Sequence, residues 1–349
     1  MRKRHRFLAS LLLLASATCA GAVTAEFSPG RPIIEPTETG AELNFDLLVR
    51  NDEATPLSLS HVTVTYLDDR ARTILQRELS GNGSAPGIQT IANRRIEPGS
   101  EQLFFNPFPR VASRPLPARI RVKLTLSGDG DTNREVEIET VPSTRKAPVI
   151  GMPLAGRVLA WDGHDELAHH RRWNYSLPFL RELGFASNAM RYSYDFVRTE
   201  DTAKSDSLSL GAPVLAVADG TVVSVVEKHA DDGSFDPRDS LKDINALCGN
   251  YVVLDLGGDT FALYAHLQRD SVVVEPGQRV RRGEVIARVG HSGSSMFPHL
   301  HFQLMDGPDF RAEGVPALFR DFVRVRGEER TKVDRGAIGT GDVVESRAN

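Results

Sequence analysis

Two imidazoles stand two residues apart in His299-Leu300-His301. On a strand, positions i and i+2 face the same way, so one ring can bind a metal while the other works beside it. Pro298 precedes the pair, and Leu300, Phe302 and Leu304 alternate with it, as in a strand whose other face is apolar and buried. The pair then lines a cleft. Two solvated histidines on a half-exposed strand would fit the triplet equally well, so its surroundings must decide. Competing chemistries are absent: the glycine-rich strings lack the strand-loop-helix setting of a phosphate loop, and there is no Gly-x-Ser-x-Gly elbow.

The elements that must carry the pair are strands. From Val149 to Val325 the pattern is dense β-structure with glycine turns. Residues 211–226 read as two strands joined at Asp219-Gly220, and 251–256 with 261–266 as a hairpin across Gly257-Gly258-Asp259. Val272-Val273-Val274 and residues 284–289 add further sheet, and Leu177–Gly184 is long enough for one short helix ending at its glycine. Residues 26–140 hold short runs of period two, such as 41–49, 62–67 and 120–126, separated by Asn51-Asp52, Gly81-Asn82-Gly83 and Gly128-Asp129-Gly130-Asp131. Such spacing predicts an immunoglobulin-like β-sandwich, and without a catalytic cluster it reads as a binding or spacer module. Residues 141–148, polar and with two prolines, read as a linker, and 326–349, charged and poor in large apolar residues, as a disordered tail.

The chain opens with Arg2, Lys3, Arg4 and Arg6, runs apolar from Phe7 to Ala17, and then reaches Ala20-Gly21-Ala22 and Val23-Thr24-Ala25. This is the pattern of a secretory signal peptide over residues 1–25, cleaved after Ala25 or Ala22, and its apolar run is short for a bilayer span. The expected location is the periplasm or the external medium. Ser16-Ala17-Thr18 before Cys19 is a poor lipobox, which argues against a lipoprotein. Cleavage leaves Cys248 alone, so no intramolecular disulfide forms. Four of the 42 basic residues and none of the 46 acidic ones lie in residues 1–25, so the remainder carries −8 with histidine neutral. That balance excludes a nucleic-acid binder, and no stretch after residue 25 is apolar enough for stable membrane insertion.

Several strings occur together and in order: Gly211-Ala212-Pro213-Val214 to Asp219-Gly220, Gly249-Asn250-Tyr251-Val252-Val253, Leu263-Tyr264-Ala265-His266-Leu267, Val274-Glu275-Pro276-Gly277-Gln278 with Val280-Arg281-Arg282-Gly283, and Gly290 to Phe302. In this the region 150–320 resembles the lysostaphin-type, LytM-like zinc endopeptidases. The resemblance implies a β-sheet domain with an open groove, one Zn2+, and peptide cross-links of peptidoglycan as substrate. It implies that His301 is a zinc ligand, that Asp195 in Tyr192-Ser193-Tyr194-Asp195-Phe196 is the carboxylate ligand, and that His266 and His299 are the catalytic companions. Two imidazoles and a carboxylate leave the fourth zinc position for water and lower its pKa towards ~7.

One position departs from the family pattern. The family places its first ligand, a histidine, four residues before the aspartate; here that residue is Arg191, whose guanidinium cannot ligate zinc. Either the domain is a non-catalytic relative that binds peptide or regulates a cell-wall hydrolase, or another histidine replaces the ligand. His-Arg-Arg followed by Arg-Tyr-x-Tyr-Asp-Phe is similar to a subgroup found in exported and envelope proteins, in which the histidine before Arg-Arg is the substitute. That is His170 here, with His169 as second choice.

Overall fold

The computed structural model describes residues 23–111, 114–130, 132–200 and 205–346. Most of the expected signal peptide, with Cys19, lies outside the described residues. The boundary after Ala25 falls within the first strand, where Val23, Thr24 and Ala25 pair with Asn51, Arg50 and Val49.

Residues 23–140 contain β1 (Val23–Ser28), β2 (Asp46–Asn51), β3 (Leu57–Leu67), β4 (Thr73–Ser80), β5 (Ser100–Phe105), β6 (Arg119–Ser127) and β7 (Asn133–Thr140), with shorter strands between them. They form two antiparallel sheets, ordered β1-β2-β5 and β7-β6-β3-β4. Period-two alternation sends Leu47 and Val49 of β2, Val62 and Val64 of β3, Phe104 of β5, and Val122 and Leu124 of β6 into one shared core. The run 41–49 is not one strand. It breaks after Leu43, where the buried Asn44 amide donates to Glu35.

Residues 149–346 are organised by one large sheet. Its main strands are β8 (Gly156–Asp162), β9 (Tyr194–Arg198), β10 (Gly220–Val226), β11 (Tyr251–Asp255), β12 (Phe261–Ala265), β13 (Leu300–Met305), β14 (Leu318–Arg326), β15 (Glu329–Gly336) and β16 (Val343–Ser346). The order is β14-β16-β8-β9-β13-β12-β11-β10, with β15 on β14. Leu300, Phe302 and Leu304 of β13 join Phe196, Tyr264 and Leu254 in the core beneath. His301 and Gln303 therefore face the other way.

Two local expectations differ from what the chain does. Pro213–Leu215 does not form a hairpin with β10; it pairs with Val285–Arg288 as a small second sheet under the core. The turn between them is set elsewhere, since Asp219 accepts from the Arg282 backbone and Gly220 lies so close to the Asp255 carbonyl that a Cβ would stand 2.7 Å from it. Val272-Val273-Val274 forms no strand, although the Val273 N–H donates to Ile286. The short helix is present as α1 (Pro178–Glu182), followed by Gly184 at φ 92°.

The expected disordered tail is a correction. Residues 329–336 pair with β14, and 343–346 pair with both β8 and β14. Few apolar residues suffice because each is placed where it is buried: Ile338 and Val344 enter the core, and Val343 packs with Leu159, Val197 and Val325. Buried Arg324 adds polar ties to Asp342 and the Ala337 carbonyl. Low average hydrophobicity hid these strands: β16 brings two buried valines, and β15, with no fully buried residue, is held by its pairing with β14.

The two sheet systems share an interface. Leu48 of β2 and Leu103 of β5 point away from their own core and pack with Tyr175, Leu180 and Phe185. Between the two systems, the segment 141–148 is tied down by Arg145, which donates to the Asp259 carbonyl and to Thr260.

Candidate metal centre

Strand register brings the first two groups together. Asp195 on β9 lies directly opposite His301 on β13, and Ala265 of β12 flanks His301 on its other side. Side chains opposite each other on neighbouring strands are within a few ångströms, so a carboxylate and an imidazole here must meet. The Asp195 Oδ1 to His301 Nδ1 distance is 3.0 Å. His266 follows β12 with φ 59°, a left-handed conformation held by hydrogen bonds from its own N–H to Cys248 and to its carbonyl from Gly290. His299 precedes β13, and its Nε2 is 3.4 Å from Asp195 Oδ1.

The remaining group arrives on the loop between β8 and α1. His170 is almost wholly buried, and its Nε2 also lies 3.4 Å from Asp195 Oδ1. Its ring is 5.0 Å from that of His301, while the rings of His266 and His299 are 4.7 Å apart. The four imidazoles thus divide into two pairs around one carboxylate.

Each ring is held in one tautomer by a fixed acceptor. Nδ1 of His170 donates to the Gly163 carbonyl at 3.0 Å, that of His266 to Ser292 at 2.8 Å, and that of His299 to Phe297 at 2.7 Å. His301 is reversed: its Nε2 donates to Gln303 Oε1 at 2.9 Å. The Gln303 amide is itself oriented, since its oxygen accepts from Ser193 and its nitrogen donates to Ala189. Backbone carbonyls can only accept, so the opposite nitrogen of each neutral ring carries a lone pair. Outer-shell partners of this kind are how ligating histidines are oriented.

The electrostatics follow from burial and proximity. Burial pushes the Asp195 carboxyl up, but His170 and His299 outweigh it and hold the group well below the carboxylate range. Burial lowers His170 more than Asp195 raises it. His266 is driven well below the usual imidazole value by burial and by His299 and His301. For His299, burial lowers and Asp195 raises, and the carboxylate prevails.

This donor set fits a cation. His170 Nε2 and His301 Nδ1 lie 3.4 and 3.0 Å from Asp195 Oδ1, so the three groups converge closely enough to share a proton or a divalent ion. Two neutral imidazoles with one carboxylate form a zinc donor set. A second grouping overlaps it: Asp162, His169, His170 and Asp195 offer ligand atoms within 4.8 Å of one another. It is the weaker set. His169 is 63% exposed and pairs with Asp162 at 2.6 Å, and the His170 nitrogen nearest Asp162 already carries the proton given to Gly163.

Arg191 is nowhere in the centre. Its side chain is fully buried, with NH1 2.8 Å from Asp46 Oδ2 and Nε donating to Glu313 at 2.9 Å. Asp46 lies on β2, and Arg171, next to His170, takes its other oxygen at 2.6 Å. Asp46, Gln303 and Asp162 are contacts that motif reasoning passed over. Gln303 was visible as the next residue on the His299, His301 face, whereas Asp46 resembled any solvent-facing acid in a strand.

The centre opens into a cleft of about 480 Å3 walled by Trp161, Trp173, Met190, Leu247, Phe297 and Phe310. Cys248 borders it as a buried thiol pushed up by desolvation. His291 lies in the loop before β13, where its Nδ1 meets Ser295 Oγ at 2.9 Å.

Residues 206–312 match the model of Peptidase family M23. Over 96 residues the chain is 35% identical to the peptidoglycan DD-endopeptidase ShyB of Vibrio cholerae, and over 97 residues 36% identical to an uncharacterized metalloprotease of Haemophilus influenzae. Each match covers 28% of this chain and only 18% and 17% of those proteins, so the chain spans less than a fifth of the curated relatives it matches. Among solved structures, the catalytic domain of lysostaphin from Staphylococcus simulans aligns over 38% of this chain and 79% of that one, at 24% identity and a TM-score of 0.25. The matched segment includes His266, His299 and His301, and through it the chain carries a domain of Peptidase family M23, the lysostaphin-type peptidases.

Proposed function

We propose that this chain is an exported zinc metalloendopeptidase that hydrolyses peptide bonds of peptidoglycan or a related envelope peptide. Its zinc would be held by His170, Asp195 and His301, with His266 and His299 as catalytic residues. The observation that carries the reading is the convergence of His170 Nε2 and His301 Nδ1 on one buried carboxylate oxygen, at 3.4 and 3.0 Å, which is a donor arrangement suited to a shared divalent cation. Arg191 supports replacement of the family ligand over its loss, because the arginine has a buried structural partner of its own and His170 supplies the missing nitrogen. The relatives named for peptidoglycan DD-endopeptidase activity support the substrate class.

When bound, the metal would polarise the scissile carbonyl and make its water acidic. The chain's own residues divide the proton work. His266, held neutral, can accept a proton at Nε2 from the attacking water; His299, raised by Asp195, can hydrogen-bond the oxyanion through its Nε2–H and then pass that one proton to the leaving amine, after which His266 releases its proton and His299 regains one from solvent. The C–N bond breaks, the water oxygen joins the carbonyl carbon, and one proton passes to the amine. The cleft beside these rings is walled largely by apolar side chains, which can receive the substrate next to the proton-transfer groups.

Purified protein should contain about one zinc per chain, and peptidoglycan digestion followed by mass analysis should release cross-link fragments. His170→Ala and His301→Ala should lower zinc content alike, with His169→Ala leaving it unchanged. Zinc-free protein, or full zinc in His170→Ala, would overturn the assignment.

A further inference from the structure

The loop that delivers His170 is gripped at both ends by the N-terminal sheets. At one end His164 Nε2 meets Glu35 Oε1 at 2.6 Å, both buried, and the adjacent Gly163 carbonyl is the one that orients His170. At the other end Arg171, next in sequence to His170, is enclosed by three groups of the N-terminal part: Asn44 Oδ1 at 3.1 Å, Asp46 Oδ1 at 2.6 Å and the Phe45 carbonyl at 2.7 Å. Asn44 also donates to Glu35, so the two grips are parts of one network.

The same carboxylate reaches the other ligand segment. Asp46 Oδ2 faces Arg191, four residues before Asp195, and Arg191 continues to Glu313. Between the two segments Asn188 donates to the carbonyls of both His170 and Arg171. Two guanidiniums and two carboxylates are thereby brought together with balanced formal charge, Arg171, Arg191 and Asp46 buried and Glu313 partly so.

We infer that Asp46 is a positioning residue of the metal centre, and that the N-terminal sheets are part of the frame that sets His170 against Asp195. The inference rests on the zinc reading above. Neither ligand segment has regular structure at the relevant point: His170 lies in a loop, and Arg191 in the turn before β9. Asp195 itself is set by strand register, and the loop carrying His170 is tied to the turn at Arg191 by Asn188 and by Asp46, a side chain of β2. A spacer domain would not supply such a group. The arginine at the family's histidine position acquires a function in the same step, because a histidine there could not span from the turn before β9 to both Asp46 and Glu313.

The test is metal binding by the full chain. Zinc affinity would be measured by chelator competition, and the visible absorption of cobalt-loaded protein would report the ligand field directly. Asp46→Asn should bind zinc ~10- to 100-fold more weakly, as loss of an outer-shell partner does, with a cobalt spectrum shifted in the direction of His170→Ala. Val64→Ala, in the sandwich core away from the clamp, should lower thermal stability with affinity and spectrum unchanged. If Asp46→Asn does not fold, Glu35→Gln, which leaves the arginine pairs intact, carries the same expectation. Wild-type affinity and spectrum in the folded clamp variant would overturn the inference while leaving the zinc reading standing. A wild-type chain that binds neither metal would overturn both.

Discussion

Replacing Arg191 by methionine distinguishes a vacated ligand position, which would tolerate the change, from a buried clamp, which would not. Arg191 and Asp46 have fully buried side chains, and Glu313 is 17% exposed. Without the guanidinium, Glu313 loses its ion pair and Asp46 keeps only Arg171, so the cluster carries an uncompensated negative charge. Removing one partner of a buried pair costs about 3–5 kcal/mol. The lower end applies here, because the Arg191 NH1 and Asp46 pair is close without hydrogen-bond alignment and Asp46 retains a 2.6 Å partner. About 3 kcal/mol, at roughly 2 °C per kcal/mol for a chain of this size, lowers the thermal midpoint by about 6 °C. Burial already raises the Glu313 carboxyl, and losing Arg191 removes the main opposing influence. A carboxyl with a raised folded value gains stability as pH falls, so the deficit should be smaller at pH 5 than at pH 7.5. Circular-dichroism melts of the wild type and Arg191→Met at both pH values measure this. A midpoint unchanged at both pH values would refute the clamp, as would Arg191→His binding zinc more tightly than the wild type.

Two further outcomes are expected. His164 is raised by Glu35 despite burial, so its contribution is complete below about pH 6.5 and is lost as pH rises through the raised folded value; urea unfolding across pH 6 to 9 should show that decline in the wild type and not in Glu35→Gln. For the export proposed above, processing after Ala22 should leave Val23 as the first residue, because cutting after Ala25 would remove half of β1 and its pairing with β2; N-terminal sequencing that begins at Glu26 would contradict this, and an unprocessed N-terminus would contradict export by a cleaved leader.

The HxH strand was legible from alternation alone, since Leu300, Phe302 and Leu304 can only be buried if His299 and His301 are not on their side. Asp195 and His266 could be named from the resemblance, and register explains why they meet His301. His170 was harder, because nothing local marks a loop residue as buried; the His-Arg-Arg string pointed to it, and the partners of Arg171 explain its place. Asp46 escaped notice because a single acid in a strand satisfies a solvent-facing pattern. The clue lay two residues on, where Leu48 on the same face is apolar and needs cover. The C-terminal strands escaped because composition averages over a segment, whereas burial is decided residue by residue.

Strand β2 is covered on both faces over residues 46–49: Leu47 and Val49 complete one core, while Asp46 and Leu48 face the other half of the chain. Such a strand makes the chain indivisible in practice. Severing it at residues 141–148 and expressing the C-terminal portion alone would leave Tyr175, Leu180 and Phe185 facing water beside two arginines stripped of their shared carboxylate. That surface combines the stickiness of an unmatched apolar patch with a charge excess meant for the interior. A foreign counterpart for either half would have to supply the partners of Leu48, Leu103 and Asp46 at this seam.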